Sequence, residues 1–133
     1  MDKKLELVKE WLNKASHDLQ MAELALKYKP ELRDSICFHC QQAVEKSLKA
    51  HLVFLDIPFK KTHSLTYLLD LINEKDSISE EVYSQIELLE SYAVEIRYPE
   101  GGYEPTESET QKVYNIAVEI MALISKKIRL GEE

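Results

Sequence analysis

The 133-residue sequence predicts an all-α fold, an antiparallel up-down bundle of four or five helices in a single domain spanning residues 1–133. Three observations carry this expectation. Apolar residues recur at alternating spacings of three and four through long runs, which places them on one stripe of a helix. Glycine and proline are scarce, three and four in all, and they fall mostly at the ends of those runs. With 44% apolar and 31% charged residues, the composition is that of a globular chain and not a disordered one.

The first helix is expected from about Lys3 to Tyr28, with Leu5, Val8, Leu12, Ala15, Leu19, Ala22 and Leu26 on its stripe and Pro30 ending it. The second starts near Asp34, a plausible N-cap, and runs to about Asp56, before Pro58. Projected at 100° per residue, Cys37, Cys40, Val44, Leu48 and Leu55 share one face of it, and His39, Gln42, Lys46 and Lys49 line the opposite one. Apolar flanks at Ile36, Phe38, Ala43, Leu52 and Phe54 make this the expected central helix. A brief third helix spans about His63 to Asn73, with Leu65, Leu68 and Ile72 inward.

The fourth helix opens near Ser77 or Ser79, where Ser77 with Glu80 reads as a capping box. It passes through Val82, Ile86, Leu89, Ala93 and Ile96 and stops near Arg97, because Pro99 disfavours helical geometry at Tyr98. The stretch from Tyr98 to Pro105 holds two glycines and two prolines and reads as an irregular loop. Thr106 and Glu109 form a second capping box, opening a helix to about Arg129 through Val113, Ala117, Ile120, Ile124 and Ile128, with Gly131 as its stop signal.

Charge and cysteine usage narrow the function. A net charge of −7 and an isoelectric point near 5.2 weigh against general DNA binding, since a phosphate backbone needs concentrated Lys and Arg. A local basic stripe still suits one nucleotide or a short RNA segment. No basic leader precedes an apolar segment, and no apolar run nears the roughly 18 residues that cross a bilayer, so a cytoplasmic location away from membranes is expected. Cys37 and Cys40 are the only cysteines and read as small, reduced core residues. His51 shares their projected face but lies about 16 Å further along the helix, too far for one ion, so neither a metal nor another cofactor is expected.

Three places attract attention beside their plain structural readings. His63 opens a short helix just after Lys60 and Lys61, where backbone donors and positive charge suit a phosphate, although a solvated loop with a capping group fits equally. The stripe of His39, Gln42, Lys46 and Lys49 reads either as a wet face or as the wall of a groove or dimer seam. Arg97 and Tyr98 end the fourth helix. Arginine grips phosphate in a planar, bidentate way and tyrosine stacks on a base, while a helix-end arginine on backbone carbonyls is the alternative. No Gly-rich phosphate loop, serine elbow or catalytic carboxylate pair is present.

The run Cys37-Phe38-His39-Cys40-Gln41-Gln42-Ala43-Val44-Glu45-Lys46-Ser47-Leu48-Lys49-Ala50 resembles the signature of the HEPN family, named for a domain of higher eukaryotes and prokaryotes thought to bind nucleotides. Lys61-Thr62-His63-Ser64-Leu65 and Arg97-Tyr98-Pro99 follow in the expected order, so the resemblance covers nearly the whole chain. It implies a helical bundle that dimerises, often encoded beside a minimal nucleotidyltransferase in toxin–antitoxin or defence-like pairs. Many members are metal-independent ribonucleases carrying Arg, four to six residues and then His. Here Arg97 needs a histidine at 102, 103 or 104, and those positions hold Gly102, Tyr103 and Glu104. Without an imidazole there, the general acid–base group of that motif is missing. The resemblance is therefore to a non-nuclease branch with an Arg-Tyr-Pro motif.

The resulting expectation is a nucleotide-binding or accessory module in which Arg97, His63, Lys46, Lys49, His39 and Gln42 surround a ligand and Tyr98 stacks on its base. The alternatives are a ribonuclease with a rearranged site using Arg97 with His63 or His39, and a bundle that only pairs with itself or with a transferase.

Overall fold

The computed structural model describes residues 2–95 and 104–132, with the backbone alone for 93–95 and 130–132. Among these residues there are five helices and no strand: α1 (Lys3–Tyr28), α2 (Arg33–Phe54), α3 (Leu65–Asn73), α4 (Glu80–Glu95) and α5 (Glu107–Glu132). Ala93 is described by its backbone only, and Ile96, Arg97 and Tyr98 lie outside the described residues.

Side-chain pairs fix the helix directions. Lys4 on α1 meets Asp56 just beyond α2, the Lys49 ammonium stands 5.4 Å from the centre of the Trp11 ring, and Asp18 meets His39 and Lys46. Rising numbers on α1 thus meet falling numbers on α2, so the two are antiparallel. Tyr83–Asp70 and Thr66–Glu90 set α4 antiparallel to α3, and Gln85–Glu119 and Tyr92–Glu109 set α5 antiparallel to α4. The four long helices alternate in direction along the chain, with α3 inserted in the α2–α4 connection and running alongside α2. This is the expected up-down bundle.

The core is built from the predicted stripes. Val8, Ala15 and Ala22 of α1, Leu68 and Ile72 of α3, Ile86 and Leu89 of α4, and Val113, Ala117, Ile120, Ile124 and Ile128 of α5 are all buried. They close around α2, which is the central helix. Its burial goes further than the sequence suggests. The face carrying Lys46 and Lys49, read from sequence as either a wet face or the wall of a groove or dimer seam, lies against α1, and Lys49 is only 7% exposed. A polar stripe on one helix reads as a solvated surface, but here α1 brings its own partners, Asp18 and Trp11, to meet it.

Several helix ends also differ from expectation. α2 begins at Arg33 with no side-chain cap, and Asp34 sits in its first turn, accepting from the Ser35 amide. Ser64, not His63, caps α3, accepting from the Tyr67 amide at 3.2 Å. Ser79, not Ser77, caps α4 by accepting from the Val82 amide. At α5 the reciprocal box forms as predicted: Glu109 N–H donates to Thr106 Oγ1 at 3.0 Å, and Thr106 N–H donates to Glu109 Oε1 at 2.8 Å. α5 continues through Gly131 to Glu132, because glycine permits a left-handed stop without imposing one. α2 ends in a Schellman arrangement, with Ile57 N–H donating to the Leu52 carbonyl and Asp56 N–H to that of Val53. The left-handed position is held by Asp56 (φ 60°) instead of glycine.

No described helix is long and apolar enough to cross a membrane.

Candidate nucleotide-binding cleft

The amino-terminal half of α2, the start of α3 and Glu90 of α4 enclose a cleft of about 300 Å3. Residues 34, 35, 38, 39, 41, 42 and 45 face it from α2, a spacing of three and four that follows from one strip of a helix surface. The half-exposed ring of Phe38 stands at its edge, and Leu65 gives an apolar wall. Gln41 is oriented by donating its amide to the Leu89 carbonyl of α4. Glu90 is oriented from α3: its Oε1 accepts the Thr66 amide at 2.8 Å and the Thr66 hydroxyl.

Two histidines line the same cleft, and each is held by a carboxylate. His39 Nδ1 lies 2.9 Å from Asp18 Oδ1, and His63 Nδ1 lies 3.1 Å from Glu45 Oε1. A carboxylate can only accept, so each Nδ1 carries the hydrogen and each Nε2 is the nitrogen left for a ligand. The same two carboxylates hold the lysines. Lys46 donates to Asp18 Oδ2, and Lys49 donates to Glu45 Oε2 at 3.0 Å. Glu45 is nearly enclosed, so its pairing with Lys49 and His63 compensates a buried charge that would otherwise be costly.

Of the residues singled out from the sequence, the structure brings His39, Gln42 and His63 to one cleft. It sets Lys46 and Lys49 behind it, with their ammonium groups already engaged by carboxylates. Arg97 and Tyr98 lie outside the described residues. Sequence reasoning missed Asp18, Phe38 and Glu90. The available signal for Asp18 was an acidic residue set between Ala15 and Ala22 on the buried side of α1. None existed for Glu90, whose position depends on how α4 packs.

A third cluster of the same kind sits at the far end of α2. Asp76 Oδ2 accepts from Lys127 at 2.9 Å and lies 3.6 Å from Nε2 of the buried His51. Burial lowers the His51 pKa from 6.5 to about 4, against the attraction of Asp76 and with the repulsion of Lys127. Its Nδ1 and the Ser47 hydroxyl one turn earlier have no hydrogen-bond partner among the described residues.

The thiols sit where the pattern put them. Burial pushes Cys37 up to about 11, partly offset by its hydrogen bond to Thr110, and Cys40 to about 12. Both are protonated, unreactive core groups at neutral pH. Among the described residues no three His, Cys, Asp or Glu side chains are placed to hold a metal ion.

The class this defines is an all-α up-down bundle with a small polar cleft beside its central helix. The HEPN domain model matches residues 8–128, and the chain belongs to that family. Its fold is similar to the crystal structure of TT1696 from Thermus thermophilus, at 25% identity over 90% of this chain and 97% of that one, with a TM-score of 0.79. It is similar also to ST0689, an archaeal HEPN homologue, at 27% identity over 91% of this chain and 97% of that one, with a TM-score of 0.73. No curated protein matches the sequence.

Proposed function

We propose that this chain is a nucleotide-binding accessory module whose ligand, a nucleotide or short single-stranded RNA segment, occupies the cleft between α2, α3 and α4. It works as a homodimer in support of a small nucleotidyltransferase partner. The observation that carries the reading is the convergence of His39, Gln42 and His63 on one cleft beside the exposed Phe38 ring. Aromatic faces and imidazoles are the groups that hold unpaired bases. Arg97, seven residues after Glu90 in the sequence, supplies the guanidinium for phosphate, and Tyr98 a second stacking surface. Lys46 and Lys49 act indirectly, by fixing the carboxylates that orient the two histidines.

The test is thermal unfolding with a panel of nucleoside monophosphates. Stabilisation by several degrees that disappears in Arg97→Ala is expected, and an unchanged Tm across the panel refutes small-nucleotide binding. Co-purification with a transferase encoded alongside tests the partner.

The two carboxylate-held imidazoles favour one second reading, a metal-independent ribonuclease with His39 and His63 as its proton-transfer pair. RNA cut in the presence of chelator by the parent chain but not by His63→Ala supports it. RNA left intact removes it.

A further inference from the structure

The charge of the cleft runs opposite to what a phosphate requires. Its lining contains Asp34, Glu45 and Glu90 but no lysine or arginine. The cations of α2 are all engaged elsewhere: Arg33 on the Pro105 carbonyl at 3.1 Å, Lys46 on Asp18 and Lys49 on Glu45. Both oxygens of Glu45 are taken, by His63 and Lys49. Glu90 differs. Its two bonds from Thr66 fall on Oε1, which holds the carboxylate in one orientation while Oε2 accepts no hydrogen bond from a described residue. About 300 Å3 is at the low end of the roughly 300–1,000 Å3 of small-molecule sites, and the acidic lining suits an uncharged base better than a phosphate.

We infer that the cleft is a base-edge site that selects bases bearing an exocyclic amino group, with Glu90 Oε2 accepting from that amino group and the Phe38 ring stacked on the base, while sugar and phosphate stay outside. A fixed carboxylate accepts from the amino group of cytosine but faces the carbonyl oxygen of uracil, where two acceptors repel. The inference rests on the proposed nucleotide binding and adds the part of the ligand that the cleft reads.

Cytidine and uridine monophosphates are near-isosteres that differ at this edge, so they are the probes, titrated calorimetrically into the intact chain. Cytidine monophosphate is expected to bind at least about tenfold more tightly, the low end of what one hydrogen bond to a charged group contributes. Glu90→Gln, which keeps an acceptor for Thr66, is expected to abolish most of that preference. Phe38→Ala, a change on an exposed ring, is expected to weaken both ligands by about the same factor, tenfold or more. Equal affinity for the two monophosphates, or a cytidine preference that survives Glu90→Gln, overturns the base-edge assignment while leaving nucleotide binding in place. Failure of both monophosphates to bind at millimolar concentration overturns the nucleotide reading together with it.

Discussion

The two ends of α2 carry the same trio of residue types and use them differently. Towards its amino-terminal half, Asp18 joins His39 to Lys46 and Glu45 joins His63 to Lys49. At the far end, Asp76 stands between Lys127 and His51. In the first two clusters the imidazole reaches the cleft; His63 has 74% of its side chain exposed. In the third it is 1% exposed and held neutral by burial. The chemistry of a histidine next to a carboxylate and a lysine is therefore not set by the trio itself. Burial of the ring decides whether the cluster opens onto the cleft or only onto the interior.

The largest effect should come from breaking a buried pair. Glu45→Ala leaves Lys49 enclosed without its carboxylate, and a loss of about 3–5 kcal/mol in urea unfolding is expected. Asp18→Ala, at a site nearer solvent, should cost on the order of 1 kcal/mol. Equal losses for the two would remove the distinction drawn between enclosed and accessible clusters.

Acid should separate the two ends next. The His51 pKa is about 4 in the folded chain against 6.5 unfolded, so between these values the unfolded chain binds a proton that the folded one refuses. Stability from this group is complete above pH 6.5 and falls as the pH drops towards 4, by on the order of 3 kcal/mol. His51→Gln should flatten that part of the stability profile, and an unchanged slope would show that the ring is not the responsible group.

The smallest expected effect is at the turn closing α2. Asp56 occupies a left-handed conformation that costs a non-glycine residue about 1 kcal/mol, and its exposed pair with Lys4 returns little. Asp56→Gly should raise Tm by a few degrees without altering ligand affinity.

The fold was legible because each helix is marked by its own residues. Alternating spacings place Val8 or Ile120 on a stripe whatever the rest of the chain does, and the Thr106–Glu109 box marks a start from two residues alone. The cleft was legible only in part. His39 and Gln42 are one helical turn apart, and the loop preceding α3 delivers His63 beside them. What could not be read was where the charges go. Lys46 is answered by Asp18, 28 residues earlier on another helix, and Lys49 lies over the ring of Trp11, still earlier on that same helix. A lysine facing solvent and a lysine facing a carboxylate on a neighbouring helix look identical in one dimension.

The α2–α4 connection has a further consequence. Because α3 lies along α2 within it, that segment supplies both Thr66, which orients Glu90, and His63, which lines the cleft and answers Glu45. The long helices could keep their stripes unchanged while this connector lengthened, shortened or exchanged residues. The lining of the cleft can thus change through the connector alone, with the four long helices left as they are.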